Sequence, residues 1–328
     1  MFKNALTVIF GILFSFIIFF LIETILVIKD SSLQMYGSDV SEHFKTMFFH
    51  GDSYLREKYY DSEQKQPNVS QFKIPNSDNT YEISWDNFGR RRTFDEDSNK
   101  DKYAVFLGCS LIFGDGISDK ETLPYFFGSY SKDYEAYNYA LSGASPNIFL
   151  YLLSQRDISL EIKQSSGIVY YFYQTNHLLR STAHISTINF AWPEPMYEFD
   201  KNKQLVLTED LATLDYFKRF VEKSLLLKNI IPLIDTKKAK DDAHELTCEI
   251  INQLAKKVNQ RLENAEFITV LYPGESDQRM GKCLMNKGVK VIDFSMKSRD
   301  PKLRTHWDGF HPSMQENEAL SRLLIESL

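Results

Sequence analysis

The sequence predicts an α/β domain built on an open, mainly parallel sheet. Tyr103–Leu107 and Gly167–Tyr173 are short apolar runs rich in β-branched and aromatic residues, too brief for buried helices. Tyr134–Tyr139 is a shorter strand candidate between them. Each run is followed by a turn or by helix-start residues: Gly108 and Ser110, then Gly143 and Pro146, then Gln174 to His177. In such a sheet the ligand crevice opens at the carboxyl ends of the strands.

The first run leads into Gly108-Cys-Ser-Leu-Ile-Phe-Gly-Asp-Gly116. Gly108 suits a sharp turn, and Gly114 and Gly116 suit close approach of backbone to a bound group. Ser110 at the exit of a buried strand fits a nucleophile if a base reaches it, and equally a turn serine that caps the next segment. The stretch alone does not choose between them.

The 328 residues allow one large domain or two smaller ones. A hydrophobic share of 43% is enough for a full core, and a net charge of −6 argues against a nucleic-acid partner. Cys109, Cys248 and Cys283 are odd in number and far apart, so the expectation is separate thiols, with neither a disulfide framework nor a zinc knuckle. The seven histidines show no metal-ligand spacing, so no metal site is expected.

From the amino terminus, Ala5–Ile22 is an uncharged apolar run, continued after Glu23 by Thr24–Ile28. About 18 or more such residues can span a bilayer. No small-x-small cleavage site follows, so residues 1–30 read as an uncleaved anchor, with a cleaved signal peptide as the alternative. Lys3 and Lys29 do not set the orientation, and the large domain is placed on the outer side by the usual behaviour of short-tailed amino-terminal anchors. Residues 31–100 read as a polar connector. Within it, His50-Gly51-Asp52-Ser53 has the letters of a serine motif but neither strand nor Gly-rich turn around it, and it is rejected. Thr80–Trp85 alternates like a strand, and Asp86–Gly89 reads as a turn. Arg90-Arg91-Arg92 reads as a solvated charge run beside Asp95, Glu96 and Asp97, with anion recognition as the other possibility.

Residues 101–328 hold the main domain. Helices are expected over Thr122–Tyr130, from Pro146 to Gln155, over Glu209–Leu227, over Lys240–Glu263 and from Gln315 to Leu328. Further strands are expected at Phe267–Leu271 and Val289–Phe294, with Gly281–Gly288 as a connecting segment that can hold a helical turn. Leu178–Gln204 has no regular period and reads as a long aromatic loop, either a substrate rim or lid or a segment packed against the connector. Trp192 and Tyr197 within it, and His177 just before it, are the candidate substrate-binding residues.

Three more signals flank these elements. Gly143, between a strand and a helix, suits a backbone N–H aimed at negative charge, or an ordinary tight turn. Asn176 can donate to an oxyanion or cap a helix. Asp308 and His311, three apart beside Gly309 and Pro312, let a carboxylate hold one imidazole nitrogen while the other faces a serine. His306 is the competing histidine.

In order, these blocks resemble the SGNH (GDSL-type) hydrolases. Gly108-Cys-Ser-Leu-Ile-Phe-Gly114 resembles the serine block, and Asn138-Tyr-Ala-Leu-Ser-Gly143 the glycine block. Gln174-Thr-Asn176 resembles the asparagine block, and Asp308-Gly-Phe-His311-Pro the Asp-x-x-His block. Asn87-Phe-Gly89-Arg90-Arg91 resembles the lead-in of membrane-anchored bacterial members. Cys109 replaces the usual Asp, Thr175 a Gly, and His177 a frequent Asp. The second Gly of the Gly-x-Ser-x-Gly elbow is missing, which disfavours an α/β-hydrolase.

The resemblance implies a three-layer α/β/α sandwich with a flavodoxin-like parallel sheet over residues 101–328. It implies Ser110 as nucleophile, His311 as base and Asp308 as its orienter, with Ser110, Gly143 and Asn176 as the oxyanion hole and no cofactor. The expected reaction is hydrolysis or transfer of an acyl group, foremost acetyl, on an envelope polysaccharide or lipid. An O-acetyltransferase and a non-catalytic glycan- or partner-binding module remain as alternatives.

Overall fold

The computed structural model describes residues 69–73, 80–93, 99–187, 195–208, 231–233, 235–274, 277–305 and 308–328, with the isolated positions Ser15, Ile18, Leu227 and Ile230. The expected anchor, apart from Ser15 and Ile18, and the decoy Ser53 lie outside the described residues. So do Trp192, His306 and the expected helix at 209–227, Leu227 excepted. Among the described residues no helix is long and apolar enough to cross a membrane.

In chain order the strands are β1 (Val69–Lys73), β2 (Thr80–Ser84), β3 (Lys102–Leu107), β4 (Tyr134–Asn138), β5 (Gly167–Tyr173), β6 (Met196–Phe199), β7 (Leu205–Thr208), β8 (Ala265–Leu271) and β9 (Lys290–Asp293). The helices are α1 (Ser110–Phe113), α2 (Leu123–Tyr130), α3 (Pro146–Gln155), α4 (Asn176–Ser181), α5 (Lys237–Arg261), α6 (Gln278–Asn286) and α7 (Met314–Glu326). The central sheet has the order β4-β3-β5-β8-β9, and every neighbouring pair is parallel. Counted along the chain this is 2-1-3-4-5, the flavodoxin-like order.

Strand alternation sorts the core into two layers. Tyr103, Val105 and Leu107 of β3 and Val169, Tyr171 and Tyr173 of β5 face one side, where α3, α5 and α6 supply Phe149, Leu153, Ile251, Leu254, Met280 and Leu284. Ala104 and Phe106 with Ile168, Tyr170 and Phe172 face the other, against Ile112 of α1, Phe127 of α2 and Leu320 and Leu324 of α7. Both faces are therefore covered, which is why these strands read as continuous apolar runs. The α/β/α sandwich expected from the sequence is the one observed.

Several local expectations need correction. Tyr81, Ile83 and Trp85 are buried in the same core cluster as Phe106, so residues 80–93 pack onto the sandwich. Arg90 and Arg91 are not a solvated run: they are 3% and 2% exposed. Leu178–Gln204 is not all loop, because α4 begins it and an antiparallel hairpin, β6 with β7, closes it. Asp200 makes that hairpin's turn, its Oδ1 accepting from the N–H of Asn202 and of Gln204 at 2.8 Å each. Gly281–Gly288 lies largely within α6 rather than in a connector.

The cysteines are corrected as well. Cys248 of α5 and Cys283 of α6 form a disulfide, their Cα atoms 6.4 Å apart, and Cys109 alone is a free, buried thiol. α6 follows β8 directly and packs back on α5, so two residues 35 apart meet across a helix pair. Closing a loop of that length stabilises the fold by about 2–4 kcal/mol. Denatured without reductant, the protein should expose one thiol to Ellman's reagent, and three after reduction. Three without reductant would show that the pair does not form.

Candidate active site

β3 is the middle of the three strands that build the site, between β4 and β5. Because all three run parallel, their exits share one edge. Ser110 opens α1 two residues beyond Gly108, and it is buried. Gly108 is needed by packing: a Cβ there would lie 2.8 Å from Ile112 Cγ1 and 3.4 Å from Phe172 Cβ. β4 stays in register with β3 past its own end, since Tyr139 N–H donates to Phe106 O (3.0 Å) and Leu141 N–H to Gly108 O (2.9 Å). This carries the turn with Gly143 (φ 76°) alongside the turn with Ser110.

Asn176 is the first residue of α4, at the exit of β5, and is exposed. Two side chains tie the Gly143 turn to that helix. Arg180 Nη1 donates to Ala144 O (3.2 Å), and Asn147 Nδ2 donates to Ser181 O (3.1 Å). Gln174, buried at the end of β5, places its amide against Cys109 Sγ beside Ser110.

Asp308 and His311 lie in the loop between β9 and α7. Thr305 N–H donates to His311 O and Ser313 N–H to Leu303 O, each at 2.9 Å, which closes the loop on itself. His311 Nδ1 is hydrogen-bonded to Asp308 Oδ2. With Asp308 ionised, that bond assigns the proton to Nδ1 and makes Nε2 the basic nitrogen. Asp308 Oδ1 accepts from Thr305 Oγ1 (2.7 Å), Phe310 N (2.9 Å) and His311 N (3.1 Å). Burial works to raise Asp308, but the bond and charge of His311, the Phe310 N–H and the Thr305 hydroxyl outweigh it and hold the carboxyl well below the usual range.

The Ser110 turn and the His311 loop meet at Asp115. Its N–H donates to Ser110 O (3.2 Å), and its Oδ2 lies 4.0 Å from His311 Nε2. The same oxygen accepts from Ser142 Oγ (2.5 Å), the residue before Gly143. Burial raises the Asp115 carboxyl above the ordinary range, while His311, Ser142 and Arg91 work against the rise and Asp308 adds to it. The Ser110 turn, through the Asp115 backbone, and Ser142 and His311, through its carboxylate, thus meet at one residue. The sequence reading passed over it, although an acid between two glycines five residues after Ser110 was visible.

Arg91 shapes the loop behind Ser110. Its Nε pairs with Asp119 Oδ1 (2.8 Å), Nη1 donates to the carbonyls of Phe113 (2.8 Å) and Gly114 (2.6 Å), and Nη2 to that of Ile117 (2.6 Å). Gly114 has φ +92°, and a Cβ would come within 2.6 Å of Thr122 Cγ2 and 2.9 Å of Arg91 Nη1. The space that the glycine leaves is thus filled by Thr122 and a guanidinium rather than kept for a ligand.

Two expected substrate residues sit elsewhere. His177 is fully buried, its Nδ1 2.7 Å from Tyr171 Oη, and burial with the Arg180 charge holds it well below the ordinary histidine range. It is a neutral core histidine. Tyr197 packs with Leu150 and Ile250 between the β6–β7 hairpin and the helices. Phe310 is instead the exposed aromatic beside His311, its ring 5.2 Å away and edge-on.

No family model matches the chain, and no curated protein matches it. Similar solved structures include a member of the lipolytic protein G-D-S-L family from Veillonella parvula (9% identity, 69% of this chain and 97% of that one, TM-score 0.38). Another is the psychrotrophic esterase EstA from Pseudoalteromonas sp. (14%, 69% and 96%, TM-score 0.36). A third is a family two carbohydrate esterase from Clostridium thermocellum in complex with cellohexaose (13%, 73% and 67%, TM-score 0.40).

Arg91→Ala removes the buried partner of the Asp119 ion pair and takes a charged donor from three carbonyls. Denaturant unfolding should show a loss of about 3–5 kcal/mol. A loss under about 1 kcal/mol would mean that the guanidinium does not hold the loop.

Proposed function

We propose that this chain is a serine ester hydrolase of the SGNH type. The observation that carries the reading is the approach of the Asp308-bound imidazole, through its Nε2 side, to the loop that follows Ser110. His311 Nε2 takes the proton of Ser110 as Oγ attacks the ester carbonyl carbon. Asp308, held ionised by three other hydrogen bonds, keeps the proton on Nδ1 and stabilises the imidazolium that forms. The tetrahedral oxyanion is received by the N–H groups of Ser110 and Gly143 and the exposed amide of Asn176. Each such donor contributes about 10²–10³ in rate. Collapse of the intermediate breaks the bond to the alcohol, which takes the proton from His311. Water, activated by the same nitrogen, then releases the acid from Ser110.

The substrate class is an acyl ester, foremost an acetyl ester, on a carbohydrate or lipid of the cell envelope. Phe310 supports it by offering an apolar ring next to the base. A sugar hydroxyl in place of water would make the same acyl-enzyme an O-acetyltransferase. An outward-facing domain on an amino-terminal anchor is the proposed location. The Cys248–Cys283 disulfide supports it, since such bonds persist in oxidising compartments.

Labelling with a fluorophosphonate probe, run beside hydrolysis of p-nitrophenyl acetate, tests the reading. Ser110→Ala should lose the label and at least about a thousandfold of turnover, whereas Ser53→Ala should keep both. Turnover unchanged by Ser110→Ala removes that serine as nucleophile. A wild type that never labels favours a binding module on this fold.

A further inference from the structure

We propose that Asp115 is a positioning and electrostatic residue of this site, which ties the Ser110 turn to the Gly143 turn and steadies the protonated form of His311 from the side opposite Asp308. The inference rests on the serine-hydrolase reading above and adds a second carboxylate to it.

Three contacts of one residue support this. The Asp115 N–H holds the Ser110 carbonyl, so the carboxylate moves with the α1 turn. Its Oδ2 accepts the Ser142 hydroxyl, so the Gly143 turn is fixed to the same point. That oxygen also stands 4.0 Å from His311 Nε2. A buried carboxylate is costly unless it is hydrogen-bonded or faces positive charge, and Asp115 is only 8% exposed. The charged or titratable groups that act on it are His311, Arg91, Asp308 and Tyr81. Arg91 is already bound to Asp119 and to the backbone carbonyls of Phe113, Gly114 and Ile117. Among the described residues, the remaining positive partner is the imidazolium, which exists when Ser110 has given up its proton. Attraction between charges at this distance in a partly dry site is large enough to move a protonation equilibrium. Asp115 therefore favours the stage of the reaction in which His311 carries two protons.

The pH profile separates this role from a structural one. Asp115→Asn keeps an oxygen for Ser142 but removes the charge. The acid limb of kcat/KM should move to lower pH by about one unit, because the imidazolium loses a stabilising neighbour and gives up its proton sooner. The plateau kcat should fall about 10- to 100-fold with KM little changed. Ser142→Ala keeps the charge and loses the tether, so it should lower the plateau without moving the acid limb downward. If Asp115→Asn does not fold, Asp115→Ser is read by the same profile. A charge-free variant that folds and gives the wild-type acid limb overturns the proposal. Absence of Ser110-dependent turnover in the wild type overturns the hydrolase reading, and this proposal with it. With that turnover present, an unmoved limb overturns the Asp115 role alone.

Discussion

The parallel register of β3 with β4 and β5 is the feature on which the site depends. Had either neighbour been antiparallel, its exit would lie at the far edge of the sheet, and Gly143 or Asn176 would be a strand length away from Ser110. The register extends beyond the strands themselves: Leu141 N–H still bonds to the Gly108 carbonyl, so two turns leave the sheet side by side. A third is bound to the second through Arg180 and Asn147. The loops of the site are therefore anchored at their roots by sheet hydrogen bonds and cross-linked above them. Such support limits the freedom of side chains that have to meet within hydrogen-bond reach.

The segment before β3 adds support from outside the sandwich. Arg91 lies between β2 and the Ser110 loop and gives its donors to the carbonyls of Phe113, Gly114 and Ile117 and to Asp119. Arg90 does the same on the neighbouring side, joining Asp86 (2.6 Å) to the Tyr139 hydroxyl (3.0 Å) and the Glu161 carbonyl (3.1 Å). Planar guanidinium groups fit this use because five fixed donors satisfy several acceptors at once. The chain thus commits two buried cations to the shape of the loops around Ser110 and Gly143.

The central strands β3, β5 and β8 were legible because burial on both faces leaves an uninterrupted apolar run, and α3 because Pro146 marks its start. Ser110, Gly143, Asn176, Asp308 and His311 were legible as residue types at the ends of such elements, which placed them in the fold without fixing their distances. The missed features share a different cause. The arginines read as solvated because most of their partners are distant in the chain: Asp119 and the carbonyls of Phe113, Gly114 and Ile117 lie 22–28 positions from Arg91, and Tyr139 and Glu161 lie 49 and 71 from Arg90. The disulfide escaped because its two halves meet only when α6 folds back on α5, and the odd Cys109 obscured the pairing. The β6–β7 hairpin has mostly exposed strands with a polar turn, so its alternation is faint. His177 and Tyr197 looked like rim residues because sequence does not tell which side of a backbone faces the solvent.

Two carboxylates beside one imidazole would be interchangeable if their surroundings matched, and they do not. Asp308 sits at the surface of its loop with two N–H groups and a hydroxyl on one oxygen and the imidazole on the other, so every contact favours its anion. Asp115 is buried with one hydroxyl and a backbone-bound arginine nearby, and its acidity is displaced the other way. Environments that push two like groups apart in this manner are how a site assigns them different tasks. Asp308 is then a constant charge that sets the tautomer of His311, and in the proposed reaction it would do so at every stage. On the proposed mechanism, the charge of Asp115 is worth most when the imidazole is cationic, so its effect would fall on the barrier rather than on substrate affinity. The burial that makes Asp115 costly in the resting protein also keeps water from screening it when the imidazolium appears.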